Sequence, residues 1–171
     1  MNLHVGRHMS DNQVRIVVPE PHYTLFDTQR SGLPEVIVVN DALLKFVEIE
    51  VFPWHLCILM EAKDLIENGM PSSAESGLLF VIGDEIEKTL LNGRTQHGSA
   101  NALFLARSTW NKTRELLFQV HDPEVAHSAL QVLLNSRNWE REWQYKMSND
   151  KSWSNAAHLF RLFPSATGND A

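Results

Sequence analysis

The region between residues 54 and 147 constrains the fold most, because six patterned segments follow one another there with short connections. Runs rich in apolar, β-branched and aromatic residues predict strands, and apolar residues repeating every three or four positions predict helices. In chain order, they predict a strand at 54–62, a helix between Ser72 and Gly93, strands at 101–110 and 114–121, a helix from Pro123 to near Asn135, and a strand at 139–147. With right-handed crossovers, this β-α-β-β-α-β order predicts a ferredoxin-like α+β sandwich, in which both helices cover one face of a four-stranded antiparallel sheet.

Both predicted helices begin with residues that satisfy free backbone N–H groups. In the stretch ENGMPSSAES, Ser72 and Glu75 have capping-box spacing: the serine oxygen accepts from a backbone N–H, and the glutamate reaches back toward Ser72. Asp122 and Pro123 predict a cap and a first helical residue for the second helix. Because the stretch matches neither a phosphate loop nor a Gly-x-Ser-x-Gly elbow, we predict a structural role for Ser72.

The segments outside this core predict an N-terminal β extension at 14–50 and a C-terminal cap at 148–165. The extension comprises predicted strands at Val14–Val18, Tyr23–Phe26 and Val36–Val39 and a short helix at 42–47. Gly32 and Pro34 predict a turn between the last two strands, which we expect to pair. The cap holds a helix or turn around 153–158, and a flexible tail follows at 166–171.

The first ten residues, MNLHVGRHMS, lack the apolar core of a signal peptide. Because GRHM is typical of a cloning remnant, we expect residues 1–8 to be a tag and residues 9–165 to form a single domain.

Composition narrows the classes of partner. The net charge of −6 disfavours an extended surface for nucleic acid or anionic membranes and suits an acidic face that meets a basic protein. No apolar run approaches the roughly 18 residues that a membrane span needs. A lone cysteine, Cys57, excludes an internal disulfide framework and predicts a cytoplasmic location.

Several short motifs resemble the bacterial family called domain of unknown function 695. The motifs are Gly69-Met70-Pro71 followed by Glu75, Leu79 and Glu85, the run TRELLF, and DKSW followed by LFP with Asp150, Trp153, Leu162 and Pro164. Asn111-Lys112-Thr113 departs from the glycine-bearing hairpin expected there. This family looks related to the regulator of ribonuclease activity B, a ferredoxin-like inhibitor. The resemblance implies a binding role and supplies no catalytic residues.

Catalytic and metal-binding patterns are weak. The eight histidines form no His-Glu-x-x-His or His-x-His motif, so the sequence predicts no metal site and no cofactor. His55 and Cys57 share one face of a predicted strand, which leaves a nucleophile–base pair open. Because Cys57 lies among apolar residues, we predict a buried, inert thiol.

The last predicted strand carries the candidate partner-binding residues. Trp139, Trp143 and Tyr145 alternate along it with Glu140 and Glu142. If the aromatic residues face the helices, they belong to the core and the acids form the outer surface; if they face outward, they are interface anchors. We favour the inward orientation, with recognition by the acidic face and by loops such as Leu91–Ala100.

These observations predict a non-catalytic protein-binding or inhibitory module, of the regulator or immunity type, that engages a basic partner. The alternatives are a small enzyme with an undetected cleft and a small-ligand-binding regulatory domain. A convergent polar pocket would favour the alternatives, whereas a flat or apolar exposed sheet face would favour a protein partner. Homo-oligomerisation stays open.

Overall fold

The computed structural model describes residues 16–164. The strands are β1 (Tyr23–Arg30), β2 (Leu33–Asn40), β3 (Trp54–Glu61), β4 (Ala102–Trp110), β5 (Thr113–Val120) and β6 (Trp143–Asn149). The helices are α1 (Ser73–Leu91), α2 (Pro123–Leu134) and α3 (Ser154–Phe160), with single 3-10 turns at Asp41–Leu43, Ile49–Val51 and Glu67–Gly69. The protein is therefore an α+β domain, as its patterning predicts.

The six strands form one antiparallel sheet in the order β1-β2-β4-β5-β3-β6. Strand β6 lies at an edge beside β3, as predicted. The predicted four-stranded ferredoxin-like sandwich is not confirmed, because the N-terminal hairpin adds two strands beyond β4. Strand β2 of this hairpin pairs with β4, along an edge that the four-stranded arrangement would leave free.

The two faces of the sheet carry separate cores. On the first face, α1 and α2 pack over a cluster that includes Leu56, Ile58, Phe118 and Trp143. On the second face, α3 and neighbouring turns pack over a cluster that includes Val39, Phe52, Leu105 and Trp153.

Both hairpin turns use residues with positive φ. Ser31 and Gly32 have φ of 53° and 77°, and Asn111 and Lys112 have φ of 40° and 68°. Two consecutive positive φ values are typical of the tight turns whose twist matches that of paired strands. Because these turns are so short, β1 and β2 extend to Arg30 and Leu33, well beyond the predicted Tyr23–Phe26 and Val36–Val39.

Three predicted segments differ from the structure. The helix predicted at 42–47 is replaced by the two 3-10 turns at Asp41–Leu43 and Ile49–Val51, since the β-branched residues that follow disfavour a longer helix. Residues 16–18 of the predicted strand Val14–Val18 are not in a strand. The last strand begins at Trp143 rather than at Trp139, because Trp139–Glu142 form a loop that an arginine ties to α1.

The predictions for residues 1–8, for Val14 and Arg15, and for the tail at 166–171 lie outside the described residues. Within residues 16–164, no helix combines the length and apolar character that crossing a membrane requires.

Candidate functional site

The three aromatic residues predicted to bind a partner lie mainly on the first face. Trp143 is 5% exposed and belongs to the core beneath the helices, and Tyr145 packs against the same core. The Tyr145 hydroxyl accepts from Gln131 Nε2 at 2.5 Å and lies 2.8 Å from His127 Nδ1. The inward orientation favoured from the sequence is therefore confirmed for Trp143 and Tyr145.

Trp139 lies in the loop before β6 and is half-buried. Its ring meets Trp143 edge-on at 5.5 Å, and its Nε1 donates to the Leu134 carbonyl oxygen at 3.2 Å. The Arg137 guanidinium lies 3.8 Å from the centre of the same ring. These contacts fix Trp139 in one orientation while leaving part of its surface accessible.

The alternation of the sequence suggested that the acidic residues form the outer face of a strand, and the structure does not place them in a strand. Glu140 and Glu142 are exposed in the loop that contains Trp139. The carbonyl oxygen of Glu142 accepts from the Glu61 N–H at 3.3 Å, which brings Glu61 into the same end of the sheet. Within residues 16–164, no salt bridge engages the carboxylate of any of these three glutamates.

A cleft of about 750 Å³ lies at this end of the sheet, and we call it the Trp139 cleft. Its walls include Glu61, Lys112, Arg137, Trp139, Glu142 and Trp143. It brings together three of the five predicted site residues, whereas Glu140 and Tyr145 do not line it. Glu61 was missed by sequence reasoning, although its place at the end of a predicted strand could have suggested it.

A buried ion pair holds the Trp139 loop in place. Arg141 donates to Glu75 through Nε at 2.6 Å and Nη2 at 2.7 Å, and the N–H groups of Lys63 and Asp64 donate to the same carboxylate. These bonds, those from Arg141 foremost, lower the pKa of Glu75 to about 2.

The predicted capping box is therefore half right. Ser72 Oγ accepts from the Glu75 N–H at 3.1 Å, whereas the Ser72 N–H donates to the Asp64 carbonyl oxygen. Glu75 is buried instead, with its carboxylate turned to the chain that leads into β6.

A second cavity, which we call the polar pocket, lies on the second face and has a volume of about 360 Å³. Its lining includes Arg30, Glu35, His55, Cys57, Ser108 and Lys146. The predicted neighbours His55 and Cys57 both reach it. His55 Nδ1 lies 2.7 Å from Gln119 Oε1, and Ser108 donates to Glu35 at 2.6 Å.

The chemistry of this pocket disfavours a cysteine nucleophile. Burial, reinforced by the nearby Glu115 carboxylate, raises the pKa of Cys57 to about 11. The reactive form of cysteine is the thiolate, so a pKa in this range leaves the thiol protonated at neutral pH. The base considered from the sequence, His55, directs its Nδ1 to the Gln119 amide oxygen rather than to Cys57.

The remaining candidate metal ligands hold structural positions. Asp122 caps α2 by accepting from the Glu124 N–H at 2.9 Å, as predicted, and His121 Nδ1 lies 2.6 Å from the Val51 carbonyl oxygen. Among the residues from 16 to 164, no three His, Cys, Asp or Glu side chains form a group that could hold a metal ion.

The sequence model of a family of unknown function, DUF695, matches residues 24–159. The chain belongs to this family. No curated protein and no solved structure matches it, so the expected similarity to the ribonuclease regulator is not confirmed.

Residues that carried the family resemblance hold the fold together. The Gly69 carbonyl oxygen accepts from the Lys112 N–H at 2.7 Å, which joins the segment before α1 to the β4–β5 turn. Asp150 accepts from the Ser154 N–H, and Trp153 Nε1 donates to the Phe52 carbonyl oxygen at 2.8 Å. These contacts therefore give the motif residues a structural role in the scaffold.

Proposed function

We propose that this DUF695 protein is a non-catalytic protein-binding module, inhibitory or regulatory in role, that recognises a basic segment of another protein at the Trp139 cleft. The observation that carries the proposal is the presence, at a sheet edge, of carboxylates that make no salt bridge within residues 16–164, beside an accessible tryptophan. A cytoplasmic location, predicted from the lone cysteine, is part of the proposal.

The edge position of β6 favours an extended peptide as the bound element. An edge strand presents unpaired backbone N–H and C=O groups, which another chain can use to add a strand. Trp139 offers a large, fixed aromatic surface next to this edge, and such residues commonly carry much of the binding energy of an interface. Backbone pairing would supply affinity, and the tryptophan and acids would supply selectivity.

Charge favours a basic partner. Glu61 and Glu142 line the cleft and Glu140 lies nearby, while the chain as a whole carries a net charge of −6. Complementary charge accelerates encounter and disfavours acidic partners, and its effect decreases as salt rises. Lys112 and Arg137 also line the cleft, but Arg137 is already paired with Glu85 at 2.6 Å. Lys112 offsets one carboxylate, so Glu61, Glu142 and the nearby Glu140 still leave this end of the sheet with an excess of negative charge.

We further infer that β3, α1, β4, β5, α2 and β6 constitute a ferredoxin-like unit to which the β1–β2 hairpin is added. Support comes from the relative order β4-β5-β3-β6, in which the last strand of the unit is an edge strand beside the first. This arrangement is what makes β6 accessible to a partner.

The test is affinity capture from the source cell with three versions of the protein, followed by quantitative mass spectrometry. The variant Glu61→Lys/Glu142→Lys reverses both cleft charges. The matched control, Glu50→Lys/Glu124→Lys, changes the net charge equally at exposed positions that do not line the cleft. We expect a partner retained by the wild type and the control at low salt to be lost by the cleft variant. Equal recovery with all three folded proteins would contradict the proposal.

A small-ligand-binding domain is the second candidate, and Arg30 in the polar pocket favours it. Its Nε and Nη2 atoms are buried and make no hydrogen bond to any residue from 16 to 164. The nearest carboxylate oxygens, from Glu35 and Glu115, lie 3.6 and 3.9 Å from Nη2. A polar ligand that accepts from Arg30 would supply the missing bonds. The charge-reversal variant separates the two candidates. Glu61 and Glu142 do not line the polar pocket, so a ligand bound there should bind Glu61→Lys/Glu142→Lys as it binds the wild type.

A further inference from the structure

A groove of about 240 Å³ lies on the first face of the sheet, opposite the polar pocket. It runs between the outer side of the β1–β2 hairpin and the beginning of α1. Its lining is mainly apolar and includes Leu25, Val36, Val38, Met70 and Phe80. Leu25 and Phe80 are 59% and 39% exposed, so solvent reaches the groove.

Two arginines carry the charge of this groove, beside the neutral polar residues Ser76 and Thr109. The Arg107 and Arg114 guanidinium carbons lie 4.5 and 4.4 Å from the centre of the Phe80 ring. A bulge at Leu105 brings the pair together, because it adds one residue to β4 and changes the face on which the following side chains lie. Without the bulge, regular alternation from Phe104 onward would place Arg107 on the second face.

The charge of this pair is not neutralised locally. Arg114 is only 4% exposed, and its three hydrogen bonds go to neutral oxygens: Thr109 Oγ1, the Ser76 carbonyl oxygen and Ser76 Oγ. In the described part of the chain, no carboxylate lies within 4.0 Å of either guanidinium. A buried charge without a partner is costly, and evolved sites normally compensate it.

Two acidic residues of α1 lie near the groove but do not neutralise the charge of the arginine pair. Asp84 and Glu87 act on Arg107 from a distance, but they do not line the groove. Burial, together with the charge of Arg107, lowers the pKa of Arg114 to about 10. Arg114 therefore stays protonated at neutral pH, and the groove holds two positive charges.

We infer that this groove binds a small amphiphilic carboxylate, with its charged head at Arg107 and Arg114 and its hydrocarbon tail against Leu25, Val36 and Val38. The two cations select an anion, and a planar guanidinium suits a carboxylate particularly well. At about 30 Å³ for each water-sized group, the groove accommodates about eight non-hydrogen atoms, the size of hexanoate.

The test uses hexanoate, its neutral analogue hexanamide, and acetate as probes, titrated into protein with labelled methyl groups. We expect hexanoate to shift the methyl signals of Leu25, Val36 and Val38, and hexanamide to bind about tenfold or more weakly, because it lacks the charged hydrogen bonds. Acetate should also bind about tenfold or more weakly, because it lacks the tail that the apolar lining buries.

Variants identify the residues responsible. Arg107→Gln should weaken hexanoate binding about tenfold or more, whereas Arg94→Gln, an exposed arginine outside the groove, should leave it unchanged. Val38 pairs directly with Arg107 across the strands, so Val38→Phe should fill the groove and abolish binding without removing a charge. This second variant keeps the test valid if Arg107→Gln fails to fold. Equal binding of hexanoate and hexanamide, equal binding by Val38→Phe and the wild type, or no methyl shift at about 10 mM hexanoate, roughly ten times a Kd of about 1 mM, would overturn the inference.

Discussion

The substitution Glu75→Gln should destabilise the protein by about 3 kcal/mol at neutral pH, as expected when one partner of a buried ion pair is removed. Glu75 is 2% exposed, and its carboxylate receives bonds from Arg141, Lys63 and Asp64. Glutamine keeps one amide oxygen as acceptor but presents an N–H₂ group to groups that are themselves donors. Arg141, whose side chain is 20% exposed, then loses its charged partner. The assay is urea unfolding followed by tryptophan fluorescence.

Glu85→Gln is the matched control. Glu85 also lies on α1 and also makes a two-pronged pair, accepting from Arg137 at 2.8 and 2.6 Å. Its side chain and that of Arg137 are 38% and 41% exposed, so solvent screens the pair. Exposed pairs of this kind contribute about 0–1 kcal/mol, and we expect the loss in Glu85→Gln to fall in that range. The contrast between the variants measures the effect of burial.

The pH dependence gives the Glu75 prediction a second test. Because the bonds from Arg141 lower the pKa of Glu75 from 4.5 to about 2, this carboxylate stabilises the fold above pH 4.5 and ceases to do so as the pH falls towards 2. The difference in unfolding free energy between the wild type and Glu75→Gln should therefore narrow across that window. A difference under about 1 kcal/mol at pH 7, or one that stays constant as the pH falls, would refute the reasoning.

Two further predictions concern residues that could be mistaken for nucleophiles. Ser72→Ala should lower the unfolding free energy by about 0.5–2 kcal/mol in a thermal melt, because Ser72 Oγ accepts from the Glu75 N–H at the start of α1; an unchanged melt alongside loss of a measured activity would contradict this structural role. Cys57 should react about 100-fold more slowly with a thiol reagent in the native protein than after denaturation, because burial raises its pKa from 9.0 to about 11. Rapid native labelling at pH 7 would instead restore the enzyme alternative.

The sequence predicts the local elements well, because their determinants lie within a few residues of one another. The cap at Ser72 and the Asp122-Pro123 pair mark the beginnings of α1 and α2, and the structure places both helices there. The edge position of β6 and the inward orientation of Trp143 also follow from patterning and segment order. Each of these features depends on periodicity or on a short motif.

The features that escaped prediction depend on distant contacts. Glu75 and Arg141 are 66 positions apart, and their pairing turns the predicted beginning of the last strand into a loop. The bulge at Leu105 leaves no clear mark in the sequence, yet it decides that Arg107 joins Arg114 on the first face. The N-terminal hairpin was expected as an extension, but its pairing with β4 is set by tertiary contacts that periodicity does not encode.

The most direct test of partner binding at the β6 edge is hydrogen exchange of the wild-type protein, alone and in complex with the partner recovered by capture. Exchange reports the protection of individual backbone amides, so it locates the contact independently of any variant. The proposal predicts that amides of Trp139–Glu142, and those of β6 that point away from β3, exchange more slowly in the complex, while β1 at the opposite edge is unchanged. Protection confined to β1 or to the helices, with β6 exchanging as in the free protein, would contradict the account.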